Sequence, residues 1–247
     1  MTPLRLSVVI PAFNEARRLP GTLETLQLHL DARGVPYEVV VVDDGSTDAT
    51  AEAARAAGGP VVLLRHPENR GKGHAVRAGM LAASGELRLM TDADLSTPID
   101  QLERLEAAIG SGYDVAIGSR AVAGARIEVH QPVYREAMGR LFNLLVQALL
   151  LPGLEDTQCG FKLFTAQAAT TAFSACRLDG FSFDVEALYI ARRRGMRIAE
   201  LPVVWRNDAA TRVGLGGGAW AFADLLRIRL AAARGRYGPP PPASRPT

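Results

Sequence analysis

The chain has 247 residues, 48% apolar and 22% charged, with a net charge of +2. Those values describe an ordinary globular protein long enough for a real core, and exclude fibrous and low-complexity classes. Only Cys159 and Cys176 occur, too few for a disulfide framework or a four-cysteine zinc site, so a reduced, cytosolic compartment is expected.

The charge is uneven along the chain. Residues 1–110 sum to about −4 and residues 111–247 to about +6, a basic half suited to phosphates or an anionic membrane surface. No run reaches the roughly 20 apolar residues of a membrane span. The opening apolar run is interrupted by Pro11 and reads as a strand, not a signal peptide.

In chain order, "LSVVIPAF" (6–13) predicts a strand and 16–34 a helix. "YEVVVVDDGS" (37–46) predicts a four-valine strand ending in acids, then a helix over 47–58 and a strand over 60–66. A helix over 72–84 precedes the strand "ELRLMTDAD" (86–94), and a helix over 98–112 precedes the strand "YDVAIGSR" (113–120). Continuous apolar strands separated by helices argue for an α/β fold with a mostly parallel central sheet flanked by helices. Ligands of such sheets sit outside the carboxyl ends of the strands. There the sequence places Asn14 and Glu15, Asp43 and Asp44, Asp92 and Asp94, Ser119 and Arg120.

The second half is less regular. A helix is expected over 135–151, a loop over 152–164, a helix near 165–175, a helix over 181–195 and a last strand over 197–205. Asp184 and Glu186 stand at the start of the 181–195 helix and match its dipole. "RNDAATRVGLGGG" (206–218) reads as a mobile loop, and 219–234 as a helix. The division expected is one domain over 1–236, with a donor half (1–120) and an acceptor half (121–236), and a Pro-rich disordered tail over 237–247.

Asp92 and Asp94 flank Ala93. Paired carboxylates suit a hard cation such as Mg²⁺ or Mn²⁺, which keeps room for substrate phosphates, and alternate residues of a strand share a face. "VVVVDDGSTDAT" puts two acids and a Gly-Ser turn between strand and helix, where a carboxylate can accept from a base or ribose. No G-x-G-x-x-G or P-loop occurs, which disfavours nicotinamide cofactors and P-loop ATPases. "NRGKGHAVRAGM" has the outline of a phosphate loop, with Lys72 opening a helix. Lys72 and Lys162 are the two lysines among 28 basic residues.

"PAFNEARRLP", "VVDDGSTDAT", "NRGKGHAVRAGM", "TDADLSTP", "GSR", "DTQCGFKLF" and "FSFDVEALYIA" together resemble family 2 glycosyltransferases. The likeness is to the dolichyl-phosphate (polyprenyl-phosphate) β-glucosyltransferase branch, related to the dolichol-phosphate mannose synthases. It implies a GT-A (Rossmann-like) fold, an inverting mechanism, a nucleotide-sugar donor and a divalent metal. On that resemblance Pro11, Phe13 and Glu15 line the nucleoside pocket, and Asp44 with Asp43 reads the base or ribose. Lys72, Asp92, Ala93 and Asp94 belong to the donor site, with Asp92 and Asp94 holding the metal. Ser119, Arg120 and Arg135 match acceptor-phosphate positions, Gln158 lies near the transferred sugar, and Arg206 and Arg212 close over the donor diphosphate. Asp92, Asp94, Arg120 and Arg135 are the expected catalytic set.

Two departures stand out. Eukaryotic glucosyl enzymes carry an N-terminal anchor and several bacterial relatives carry C-terminal spans; neither is expected here. Leu95 and Ser96 replace the family's frequent Gly or Gln and leave the donor open between UDP-glucose and GDP-mannose.

The resulting expectation is hexose transfer, foremost glucose from UDP-glucose, to a polyprenyl phosphate at the cytoplasmic membrane face. The alternatives are GDP-mannose-dependent transfer and a catalytically silent scaffold. Peripheral contact is expected through Phe142, Leu145, Leu149, Leu150, Trp220, Phe222, Leu225, Leu226 and Ile228, with Arg227 and Arg229 at headgroups. A membrane-protein partner is admitted. Nucleic acid is not expected, because no recognisable module or aromatic interleaving accompanies the basic half.

Overall fold

Valine and leucine alternate faces along the strands, and both faces are covered. Val9, Val40, Val42, Met90 and Ile117 point into one apolar core, and Val8, Ile10, Val39, Val41 and Leu89 into the other. Burial on both faces explains why these strands are apolar throughout rather than alternating with polar residues. The computed structural model describes residues 4–129, 133–206 and 216–238, with the side chains at 133, 135 and 216–220 outside the described set.

The elements are β1 (Leu6–Ala12), α1 (Leu19–Arg33), β2 (Tyr37–Asp44), α2 (Thr50–Ala57), β3 (Val61–His66), α3 (Lys72–Ala82) and β4 (Leu87–Thr91). A 3₁₀ turn (Ile99–Gln101) leads into α4 (Leu102–Gly110), β5 (Val115–Ser119) and β6 (Arg126–Val129). Then come α5 (Val133–Leu149), β7 (Phe161–Thr165), α6 (Ala166–Ala175), α7 (Phe183–Arg193), β8 (Ile198–Pro202), β9 (Val204–Arg206) and α8 (Gly216–Ala233). Seven strands form the sheet in the order β3-β2-β1-β4-β7-β5-β8, and β6 pairs with β9 beside it.

The α/β class with a mostly parallel sheet is as expected, but three local readings are corrected. Residues 161–164, assigned to a loop, and Thr165, expected to open a helix, form β7, which runs antiparallel between β4 and β5. The short β6–β9 ribbon was not anticipated. The strand expected over 86–94 ends at Thr91, so Asp92 and Asp94 stand in the turn beyond it and strand alternation is not what brings them together.

The C-terminal end also differs from expectation. Tyr237, placed in the tail, is 2% exposed; its hydroxyl donates to Glu186 Oε1 at 2.6 Å and its ring meets Tyr189 edge-on. Residues 239–247 and most of the loop expected over 206–218 (207–215) lie outside the described residues, while α8 starts three residues earlier than expected.

Candidate active site

The carboxyl ends of β1, β2 and β4 meet at one cavity of about 530 Å³. Pro11, Phe13, Glu15, Asp44, Lys72, Asp92, Ala93 and Asp94 all line it, joined by Arg18, Asn69, Gly71 and Phe181. Two non-glycine residues at its turns hold left-handed backbone, Asn14 (φ 56°) and Leu95 (φ 45°), a conformation that surrounding bonds must support. For Asn14 the support is visible: its amide donates to Ser46 Oγ at 2.9 Å and its Oδ1 accepts from the Thr47 amide at 3.0 Å. The β1 and β2 turns are thus laced together.

The two acids after β2 part company. Asp43 is fully buried; its Oδ1 accepts from the Ser46 amide at 2.9 Å and its Oδ2 lies 3.2 Å from Arg65 Nε. That carboxylate shapes the turn. Asp44 reaches the cavity, but its Oδ2 accepts from the amides of Arg70 and Gly71 (3.1 and 2.8 Å) and its Oδ1 lies 2.8 Å from His66 Nδ1. His74 stacks edge-on to His66, and Asp44, His66 and His74 offer ligand atoms within 4.8 Å of one another, a group that could hold a metal ion.

The resemblance of 69–80 to a phosphate loop does not extend to its amides. The Gly73 and His74 amides donate to Asp179 O, and those of Arg70 and Gly71 to Asp44. Gly71 is obligatory at φ 109°, where a β-carbon would overlap the same Asp179 carbonyl. The loop therefore presents Lys72, not a cradle of N–H groups.

Lys72 Nζ lies 2.6 Å from Asp92 Oδ1. Burial works against the ammonium, but Asp92, Asp184 and Asp94 outweigh it and hold its pKa above the usual lysine range. The Asp94 carboxyl is pushed up by burial and then by the Asp92 charge, while the Ser96 amide, donating to Asp94 Oδ1 at 2.9 Å, offsets part. Behind them Asp184 Oδ1 is 2.7 Å from Lys162 Nζ, which also donates to Cys159 O. Alternating charges thus run from the cavity into the core. Lys162, in the buried strand β7, is tolerated because Asp184 answers it.

Glu186, fully buried one turn from the start of α7, accepts from the amides of Arg177 and Leu178 at 2.9 and 2.8 Å as well as from Tyr237. Asp184 and Glu186 are therefore buried partners of specific groups rather than simple complements of a helix dipole.

Across β7, Arg120 grips Asp156. Its Nε and Nη2 donate to Oδ2 and Oδ1 at 2.7 and 2.9 Å, and its amide donates to Oδ2 at 3.0 Å. Burial alone would raise the Asp156 pKa, but Arg120 pulls it down to about 2; Asp156 in turn holds the guanidinium above its ordinary range. The same guanidinium lies 5.3 Å from the centre of the Trp205 ring. Gln158 donates its amide to Asp156 Oδ1 at 3.1 Å. Ser119 Oγ is turned into the fold, accepting from the amides of Ala121 and Val122.

Arg206 stands apart from the main cavity. Its amide donates to Ser96 O at 2.8 Å, its Nε to Glu128 at 2.5 Å, and with Asp94 it lines a neighbouring groove of about 590 Å³. The Arg135 side chain and Arg212 lie outside the described residues.

Sequence reasoning missed Asp156, Gly160 and Asp184 as parts of this assembly. A β-carbon on Gly160 would overlap the Asp92 carboxylate, so β7's lead-in is shaped to admit that acid. The available signal was the pair of isolated lysines, which mark the two ends of the buried charge series.

The Glycosyl transferase family 2 profile matches residues 7–171. A dolichyl-phosphate beta-glucosyltransferase of Trichomonas vaginalis is 37% identical over 235 residues, covering 90% of this chain and 70% of the relative. The dolichyl-phosphate beta-glucosyltransferase of Homo sapiens is 37% identical over 243 residues, covering 92% of this chain and 75% of the relative. Among solved structures, glucosyl-3-phosphoglycerate synthase of Mycobacterium tuberculosis, in complex with Mn²⁺, UDP and phosphoglyceric acid, superposes with a TM-score of 0.68 at 21% identity, covering 96% of this chain and 80% of that one. The last likeness concerns the fold.

Proposed function

The chain belongs to glycosyl transferase family 2, and from that premise we propose that it transfers glucose from UDP-glucose to a polyprenyl phosphate, giving a β-linked lipid-phosphate sugar. The observation that carries the reading is the meeting of an aromatic and polar nucleoside side (Phe13, Glu15, Asp44) with an acidic pair in one cavity. The names of the relatives supply the acceptor class.

Mg²⁺ or Mn²⁺ fits Asp92 and Asp94. Both are carboxylates, the donors a hard cation prefers. Asp92 Oδ1 is shielded from solvent and is met by the Lys72 ammonium at 2.6 Å, so it already holds a cationic partner, and the Asp94 carboxyl carries the burden of burial and a neighbouring like charge. The Asp44, His66 and His74 group suits a hard cation less well, since it offers two imidazoles and an aspartate already engaged. When bound, the cation supplies charge to the donor diphosphate.

The protein's own part is positioning and charge. Phe13, 44% exposed at the cavity rim, offers a ring face to the base, and Lys72 reaches toward the diphosphate. A lipid monophosphate ionises with a second pKa of about 6, so it attacks without a strong general base. Its oxygen forms the bond to the anomeric carbon as the bond to the diphosphate oxygen breaks, inverting an α-linked donor. The Arg120 edge not given to Asp156, with Arg135, orients that phosphate, Gln158 frames its approach, and Arg206 and Arg212 close over the donor. Ser119, fully buried with its Oγ on the Ala121 and Val122 amides, supports the turn at Arg120 instead of meeting the acceptor. Residues 1–120 thereby serve mainly the donor and 121–236 mainly the acceptor, with Arg120 crossing to the acceptor and Phe181, Arg206 and Arg212 to the donor.

The membrane-facing surface requires revision. Phe142, Leu150, Leu225 and Ile228 are core residues, Leu145 and Phe222 pack against that core, and the Trp220 side chain lies outside the described residues. Of the expected residues Leu149 and Leu226 are exposed, and they are joined by Met138, Leu141 and Leu144 on α5 and Leu230 on α8. With Arg140, Arg227 and Arg229 nearby in sequence, this is the face proposed to rest on the cytoplasmic side of a membrane. Among the described residues no helix is long and apolar enough to cross one.

The test is to incubate the protein with labelled UDP-glucose or GDP-mannose, undecaprenyl phosphate and Mn²⁺ and to extract with organic solvent. Label entering the organic phase from UDP-glucose supports the reading; label from GDP-mannose alone, or from neither, overturns it.

A further inference from the structure

Lys162 meets the buried Asp184 and Lys72 the partly exposed Asp92, and the freedom of the two lysines differs accordingly. The Lys162 side chain is 2% exposed and is held between Asp184 and Cys159 O. The Lys72 side chain is 25% exposed, and it shares a cavity with Asp92 and Asp94. Its backbone is fixed, because the Gly73 and His74 amides bind Asp179 O and Gly71 is packed on the same carbonyl. Only the four-carbon stem can move, and it opens onto the space a nucleotide would fill.

The charges restrict what can enter. Asp92, Asp94 and Asp184 face the ammonium groups of Lys72 and Lys162. A dication arriving alone at Asp92 meets the Lys72 charge already placed 2.6 Å from Oδ1, and like charges at such range oppose each other. A diphosphate arriving alone meets Asp92 and Asp94. Arriving together, each removes the other's obstacle: the diphosphate draws Lys72 Nζ and the dication takes the vacated carboxylate. The loop's amides cannot substitute for Lys72, since those of residues 70, 71, 73 and 74 are committed within the protein.

We infer that Lys72 is a built-in counterion that stands in for the divalent cation at Asp92 until a nucleoside diphosphate draws it away, making cation and nucleotide binding interdependent. This rests on the assignment of Asp92 and Asp94 as the cation's ligands. Lys72 is thereby a positioning residue for Asp92 as well as a phosphate contact.

The experiment measures Mn²⁺ binding to the full chain by electron paramagnetic resonance, with and without UDP, for the parent, Lys72→Met, Lys72→Arg and Asp94→Ala. In the parent, UDP tightens Mn²⁺ binding by about tenfold or more beyond the Mn²⁺–UDP complex alone, and Mn²⁺ tightens UDP by the same factor, as linkage requires. Lys72→Met binds Mn²⁺ about tenfold more tightly without nucleotide and loses most of that coupling. Lys72→Arg, which keeps the charge, keeps the parental pattern. Lys72→Gln, with its fold checked by circular dichroism, replaces the methionine variant if that one does not fold.

Nucleotide-free Mn²⁺ affinity in the uncharged variant equal to or weaker than the parent's overturns the inference while leaving the cation site intact. Absence of any Mn²⁺ binding in the parent, or parental binding in Asp94→Ala, overturns the ligand assignment itself.

Discussion

The Asp92 carboxylate lies against the α-carbon of Gly160, in the space a β-carbon would occupy. One residue belongs to the turn after β4 and the other to the lead-in of β7, so the position of the acid depends on the neighbouring antiparallel strand. Gly160→Ala is expected to displace Asp92, to cost about 1–3 kcal/mol of stability and to lower transfer about a hundredfold. Denaturant melts and initial rates with labelled donor check it. Parental rates in the folded variant would show that Asp92 tolerates the shift.

Asp156 predicts an acid limit. Its folded pKa of about 2 lies below an unfolded value of about 3.9, so its contribution is fully present above pH 4 and is lost as pH falls through 2. The size is about 2–3 kcal/mol. Asp156→Asn should flatten the fall in stability over that window and lower stability at pH 7, measured by urea unfolding at stepped pH. An unchanged acid slope would assign that slope to other carboxylates.

Lys162 within β7 is a buried charge whose partner is supplied from α7. Lys162→Met alone strands Asp184 and is expected to cost about 3–5 kcal/mol, whereas adding Asp184→Leu should recover much of the loss. Chemical denaturation of the two single variants and the double variant closes the cycle. Simple additivity would mean that the 2.7 Å ion pair contributes no coupling.

Leu141, Leu144 and Leu230 are 48%, 62% and 53% exposed, so replacing all three by serine should leave the melting temperature nearly unchanged. Binding to vesicles containing anionic lipid should fall about tenfold or more, and the parent's binding should weaken with salt. Retained vesicle binding by the triple variant would move the contact to another surface.

The legible parts of this protein are those where local chemistry and tertiary role coincide. Four successive valines can only be a strand buried on both faces, and acids immediately beyond such strands mark the ligand rim; hence β1 to β5 and the Asp44, Asp92 and Asp94 cavity were readable. β7 was not, because "FKLFT" carries a lysine where a central strand wants an apolar residue, and the aspartate that makes it tolerable lies 22 positions later. The part played by Asp156 was hidden for a related reason. Its carboxylate is defined by Arg120, 36 residues earlier, and by backbone amides that no spacing rule records.

The sheet order bears on synthesis at the ribosome. A nascent chain that has emerged only to residue 150 has β4 with one bare edge and β5 without either sheet neighbour, since both await β7 and then β8. Exposed strand edges invite pairing with other chains. Holdase chaperones should therefore engage stalled nascent chains of that length more than chains stalled after β8 has cleared the exit tunnel.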